Sequence, residues 1–265
     1  MPAKIEIERQ GDVMIVTNDF PETRNALNAD FYTGFADTLA TADEDPTIGA
    51  IVLTGGGRFF CAGGDLNRLK KFATTPEPER RDSINRLHAM IKAMAECSKP
   101  IIAAVEGGAA GAGVSLAAAC DLIVMSENAY FSVSYVKIGL SPDGGATALL
   151  AQALPRQLMT EMCLTGDKVD AVRLLDTGVV NRIVPAGMVL EEATAWGARL
   201  AKGPARSMAR VKGLCRAAQE NSLSKQLDME RDLMIASQTD PESIEGISAF
   251  LEKRPADYAK LRREE

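Results

Sequence analysis

The chain has 265 residues, with 30 Lys and Arg against 36 Asp and Glu, a formal net charge of −6. An apolar fraction of 46 % and a charged fraction of 25 % are ordinary for a folded globular protein with a sizeable core, and exclude a disordered, collagen-like or disulfide-scaffold chain. The acidic balance and the lack of a basic run argue against nucleic acid and anionic membrane as partners.

The first stretch, Met1 to Gly11, is charged and has no apolar run, so no signal peptide is expected there. Ile5 and Ile7 alternate with charged residues, Gln10-Gly11-Asp12 makes a turn and Val13 to Val16 runs apolar, which predicts a β-hairpin. After the loop Asn25 to Asn28, Asn28 is placed to cap a helix whose Phe31, Phe35 and Leu39 share one face. Ala50 to Leu53 is a short buried strand closed by Gly55-Gly56-Gly57. A polar stretch with Pro76 and Pro78 follows, then a helix with Ile84, Leu87, Ile91 and Met94 on one face, stopped by Pro100.

Ile101 to Val105 reads as a second buried strand, Gly107 to Gly113 as a glycine-rich turn, the segment to about Ala119 as an alanine-rich helix, and Asp121 to Met125 as another strand. The run from Ile101 to Met125 is the most apolar, but Glu106, Asp121 and its glycines interrupt it, so no transmembrane helix is expected. The pattern strand, glycine turn, helix, strand occurs twice, which argues for an α/β fold. From Leu190 onward helix formers dominate, broken at Gly203-Pro204, near Asn221 and at Asp240-Pro241. About three helices are expected there, with a boundary near residue 198 that divides the chain into 1–198 and 199–265.

The five cysteines, Cys61, Cys97, Cys120, Cys163 and Cys215, are widely spaced and odd in number. That fits small apolar residues in a reducing, cytoplasmic setting. The single histidine, His88, lies within a predicted helix, and without a second histidine or a close cysteine pair no metal site is expected. His88 is a weak candidate for a Ser–His–Asp base.

Two glycine-rich turns precede helices: Phe59 to Leu66, and Gly107 to Gly113. Neither has Walker A or dinucleotide spacing. They read either as tight turns under close helix–sheet packing or as backbone N–H groups aimed at a common oxyanion. Asp143, between Pro142 and Gly144-Gly145 and ahead of Leu149 and Leu150, reads either as a helix cap or as an acid serving a site.

Phe60-Cys61-Ala62-Gly63-Gly64-Asp65-Leu66, Val105 through Gly113, Lys137 through Gly145, and Ala249-Phe250-Leu251-Glu252-Lys253-Arg254 together resemble, in order and spacing, the motifs of the crotonase (enoyl-CoA hydratase/isomerase) superfamily. The resemblance implies a spiral of ββα repeats with a helical C-terminal region that mediates trimers, often paired into hexamers. It implies acyl-CoA thioester substrates, with CoA entering as part of the substrate and no separate cofactor. It implies an oxyanion hole of the Gly64 and Ala112 N–H groups, each worth about 3 kcal/mol to an enolate-like transition state. It places Ala26, Ala62, Asp65 and Leu66 against CoA, with Arg24 and Lys253 as phosphate partners, Lys253 from a neighbouring subunit.

The chain departs from the family's hydratase pattern at its two glutamates. Ser115 and Tyr135 stand at those positions, leaving Asp143 as the acid. One carboxylate suffices to move a proton between two carbons on one face of an enolate. The expectation is therefore an isomerase that shifts a double bond or opens a ring-epoxide, resembling the phenylacetate-pathway isomerase. A hydratase in which Asp143 activates water, and a non-catalytic acyl-CoA-binding member, are the alternatives. Ser115 and Tyr135 are expected to line the acyl pocket, with the Tyr135 hydroxyl either offered to substrate or merely packed.

Overall fold

The computed structural model describes residues 4–264; Met1, Pro2, Ala3 and Glu265, with the parts of the N-terminal and C-terminal readings that fall on them, lie outside the described residues. Strands β1 (Lys4–Gln10) and β2 (Val13–Asp19) form the expected hairpin, closed where Gln10 pairs with Val13 and Gly11 takes φ +60°. Parallel strands then extend the sheet from β2: β3 (Ala50–Gly55), β4 (Ile101–Val105), and, across the segment between, β6 (Leu122–Ser126) and β9 (Arg182–Val184). The near-continuous apolar runs in β2, β3 and β4 follow from cover on both faces. On one face Val13, Ile15, Val52, Ile102 and Val124 meet Val189 and Ala193 of helix α8 (Val189–Leu200). On the other, Met14, Val16, Ile51, Leu53 and Val105 join the main core with helices α1 (Ala29–Glu44) and α3 (Glu77–Glu96).

A second, small sheet runs beside the first. Strand β5 (Ala109–Ala110) pairs in parallel with β7 (Tyr130–Ser132), which pairs antiparallel with β8 (Val169–Asp170). Single bridges continue this stack from Ala109 to Cys61 and join Gly64 to Leu27. Each turn of the chain thus lays one strand in the large sheet and one short extended piece in the small one. That is the expected ββα spiral, and it puts equivalent pieces of successive turns side by side.

Helix α1 starts where expected, the Asn28 side chain accepting from the Phe31 N–H at 2.9 Å, and it buries Phe31, Tyr32, Phe35 and Leu39. The α3 stripe differs from expectation. Leu87 and Met94 are buried as predicted, but Ser83 and Met90 complete the stripe while Ile84 and Ile91 sit half-buried at its margins. The ridge that meets α1 passes through Met90, which the choice of isoleucines skipped. The polar stretch before it holds a short helix, α2 (Leu66–Lys71), and α3 begins at Glu77 with Pro78 in its first turn, where a missing N–H costs nothing. Helix α4 (Ala112–Ala118) is the alanine-rich one; α5 (Ala146–Ala151), α6 (Arg156–Thr165) and α7 (Ala171–Asp176) follow.

After α8 come α9 (Ala205–Ala217), α10 (Leu223–Gln238), α11 (Pro241–Leu251) and α12 (Tyr258–Arg263). Among the described residues, the region from Val189 therefore holds five helices and not three, because α8 and the short α12 each form a separate element. Helix α8 belongs to the sheet: Gly197 brings it so close that an added Cβ would lie 3.3 Å from Val13. Helix α12 returns to the start of the chain, Arg262 pairing with Asp12 at 2.7 Å while its other guanidinium nitrogens donate to the Pro46 and Ala201 carbonyls. Cys61, Cys97 and Cys120 are buried as small apolar residues, whereas Cys215 is exposed on α9. No described helix is long and apolar enough to cross a membrane.

Candidate active site

The spiral brings the two glycine-rich turns together. Cys61 accepts from the Ala110 N–H at 2.9 Å, Ala62 donates to the Arg24 carbonyl at 2.9 Å, and Gly63 accepts from Leu27 at 2.7 Å. Gly63 has φ +87°, and a Cβ there would lie 2.7 Å from the Ala110 carbonyl and 3.1 Å from the Ala112 nitrogen. Only glycine lets the segments before Gly64 and Ala112 approach this far. Ala112 opens α4 after Gly111 at φ +50°, so its N–H belongs to the first turn, where helical amides lack internal acceptors. Among the described residues, no backbone carbonyl is paired with the Gly64 or Ala112 N–H.

The acid stands beside this pair. Asp143 does not cap α5: Gly145, in the left-handed region, takes the cap position without a side-chain hydrogen bond. The carboxylate instead accepts from the Tyr135 hydroxyl at 2.7 Å, and the Asp143 carbonyl accepts from Ser115 Oγ at 2.9 Å. Tyr135 reaches this point from a 3-10 helix, Ser134–Ile138, ended by Gly139 at φ +71°. Its ring also passes Gly111, where a Cβ would sit 3.9 Å from Tyr135 Cζ. One phenol thus spans the distance from the helix that carries the Ala112 N–H to the carboxylate. Ser115 is fully buried on α4, and Gly144, at φ +60°, lets the loop pass between Ser115 and Leu87.

Burial raises the Asp143 carboxyl above the ordinary carboxylate range; the Tyr135 hydrogen bond and the charge of His88 partly oppose it. Burial, reinforced by the Asp143 charge, also raises Tyr135, which stays a neutral donor. Cys61, in the first turn, is no nucleophile: burial pushes its thiol up to about 12. His88 is exposed on α3.

The remaining expected residues divide. Ala26 is buried and Ala62 half-buried where the two chain turns meet. Asp65 caps α2, accepting from the Asn67 N–H at 2.8 Å, and Leu66 is exposed beside it. Arg24 lines a cavity of about 420 Å³ with Pro21, Arg58, Phe59, Gly107 and Tyr130. The walls are aromatic and cationic: Arg24 lies over Phe59 at 5.8 Å, and Arg58 and Tyr130 stand beside them; Tyr130 is itself faced by Lys168 at 4.0 Å. Lys253 is exposed in the turn after α11, a helix that packs on α10 and α12.

Comparison with known proteins agrees with this geometry. The family model for enoyl-CoA hydratase/isomerase matches residues 8–261. The chain belongs to that family. It is 34 % identical to the 2,3-dehydroadipyl-CoA hydratase of Escherichia coli over 97 % of this chain and 98 % of the relative. It is also 34 % identical to the 1,2-epoxyphenylacetyl-CoA isomerase of the same organism, over 93 % and 94 %. The crystal structure of an enoyl-CoA hydratase from Polaromonas sp. JS666 superimposes with a TM-score of 0.93 at 42 % identity, covering 95 % of this chain and 98 % of that one. The protein is therefore an enzyme of the enoyl-CoA hydratase/isomerase family, which acts on acyl-CoA thioesters.

The sequence pattern did not single out Arg58 or Lys168, and it gave Asn25 only as part of a loop. Arg58 directly precedes the Phe59-Phe60 start of the first motif and was readable there; Lys168 meets Tyr130 only through the fold. Asn25, fully buried at φ +58°, ties three segments of the site scaffold. Its amide nitrogen donates to Gly56 and Phe59 carbonyls, and its oxygen accepts from the Phe20 N–H.

Proposed function

We propose that this family member is an acyl-CoA isomerase. Asp143 takes a proton from one carbon of the acyl chain and returns it to another, while the Gly64 and Ala112 N–H groups hold the thioester oxygen as an enolate. The observation that carries this reading is the Tyr135–Asp143 hydrogen bond of 2.7 Å. The two positions at which family hydratases are expected to carry glutamates hold hydroxyl side chains, and both hydroxyls turn to Asp143. A hydration site needs one group to deprotonate water and another to protonate the α-carbon; one carboxylate with two supporting hydroxyls suits a proton that is lifted and set down again. Burial that raises the Asp143 carboxyl makes it a stronger base than a solvated carboxylate.

On the same reading Ala26, Ala62, Asp65 and Leu66 flank the pantetheine and adenine. Arg24, with Arg58, meets CoA phosphate in the aromatic cavity. Lys253 reaches CoA only from another copy of the chain, in a homotrimer or a hexamer. Exposed apolar side chains on α10 and α11, among them Leu223, Met234, Ile247 and Phe250, support such an assembly.

The test is incubation with 3-enoyl-CoA and 2-enoyl-CoA in deuterated water, followed by mass spectrometry. Conversion of 3-enoyl to 2-enoyl thioester without a mass gain of water is expected. Addition of water to the 2-enoyl substrate identifies a hydratase, a function named among the relatives. Thioester binding with no turnover on either substrate identifies a non-catalytic member.

A further inference from the structure

Helix α2 follows directly on the Gly64 loop, and its Leu69 lies beside it, 3.5 Å from where a Gly64 Cβ would sit. The residue before it, Arg68, is half-buried. Its guanidinium donates to Ser83 Oγ at 2.6 Å and lies over the Phe72 ring at 5.5 Å. Among the described residues no carboxylate lies within ion-pair distance of it. This is unusual in a chain whose other half-buried or buried arginines, Arg182, Arg206, Arg210 and Arg262, all have one.

The surroundings of Arg68 lead to the acid. Ser83 sits one helical turn before Leu87, whose methyl group packs where a Gly144 Cβ would sit, next to Asp143. Tyr32, buried on α1, feels both groups: burial raises its phenol, Arg68 pulls it down and Asp143 pushes it up. Leu69 beside Gly64, Arg68 on Ser83, and Leu87 beside Gly144 thus run in sequence from the first glycine turn to the loop that carries Asp143. A guanidinium has five N–H donors, and Ser83 uses one. A partly desolvated cation with spare donors and no acid favours a planar anion.

We propose that Arg68 sets specificity for an anionic group at the end of the acyl chain remote from the thioester, so that the substrates are CoA thioesters of dicarboxylic acids. The bidentate geometry of arginine suits a carboxylate, and the ring of Phe72 holds the guanidinium plane in place. The inference rests on the isomerase reading only for where the acyl chain lies; it does not depend on which reaction follows.

The test is therefore made on binding alone, with saturated ligands that cannot react. Calorimetry compares adipyl-CoA with hexanoyl-CoA, chains of equal length that differ in the terminal carboxylate, on the full chain and on Arg68→Met and Arg68→Lys. The unsubstituted protein is expected to bind adipyl-CoA about tenfold more tightly or better, the scale of a hydrogen bond to a charged group. Arg68→Met is expected to bring the ratio to about one, and Arg68→Lys to keep a preference of about threefold, since it retains charge without the fork. Equal affinities in the unsubstituted protein overturn the proposal. So does a ratio that survives in Arg68→Met while both affinities fall together, which would mark Arg68 as a packing link between α2 and α3. A protein that shows the preference but isomerises nothing leaves this inference standing and removes the isomerase reading.

Discussion

Gly63→Ala separates a role in holding two N–H groups from a role in folding. At φ +87° an alanine is strained by about 1–2 kcal/mol. Its Cβ would lie 2.7 Å from the Ala110 carbonyl and 3.1 Å from the Ala112 nitrogen, both backbone atoms that cannot rotate away. The segments carrying Gly64 and Ala112 must part. Strain alone is expected to lower the melting temperature by about 5 °C in a chain of this size. Loss of one aligned donor is expected to lower kcat about 100- to 1,000-fold. Gly11→Ala is the control: it has φ +60° and no atom within 4 Å of the added Cβ, so it carries the strain without the clash. The assay is turnover of 3-enoyl-CoA well below the melting temperature, with thermal unfolding followed by circular dichroism. Both variants should lose stability, and Gly63→Ala alone should lose turnover. A folded Gly63→Ala protein with kcat within about threefold of the parent would refute the assignment of these N–H groups to the oxyanion.

Asp143→Asn should lose turnover by about 1,000-fold or more while CoA-thioester affinity, measured by calorimetry, persists; retained turnover sinks the single-acid mechanism. In Tyr135→Phe the pH profile of kcat/KM is the readout. Asp143 must be ionised to accept a proton, so activity falls as pH drops through its raised pKa, and the lost hydrogen bond favoured the carboxylate. The acid limb should therefore move to higher pH; a limb that stays in place or moves down shows that Tyr135 does not govern the acid. Asn25→Ala removes two donors and an acceptor from a fully buried position and should cost about 3 kcal/mol, read by denaturant unfolding.

What the sequence made legible follows from length of pattern. The hairpin, α1, and strands β3, β4 and β6 each carry enough residues for a period or a closing glycine to be read. Strands β5 and β8 have two residues each, too few for any period, and the Leu27–Gly64 and Cys61–Ala109 contacts are single bridges. Yet these short pieces form the layer that joins the two glycine turns, so the reason for their proximity lay outside the readable pattern. Arg68 was hidden for a similar cause: on a helix of six residues nothing in the sequence tells a solvated arginine from one turned inward.

Asp143 shows the same limit at the level of one residue. Locally it had the setting of a helix cap, and the structure gives that place to Gly145, whose φ of +81° turns the chain so that α5 starts without a side-chain acceptor. The carboxylate is thereby released to Tyr135, eight positions earlier. Hydroxyls at both of the positions expected to carry glutamates in family hydratases do not leave the acid bare. Ser115 fixes the Asp143 backbone, and Tyr135 fixes its carboxylate beside the α4 terminus. A carboxylate held by one neutral donor accepts a proton without facing a second negative charge, and its elevated pKa is kept in check by that donor. If Tyr135 acts in this way, restoring a glutamate there should hinder Asp143 and not assist it. Tyr135→Glu sets two carboxylates against each other, and turnover of the 3-enoyl substrate should fall; a rise would mean that the site runs best with two acids, as a hydratase does.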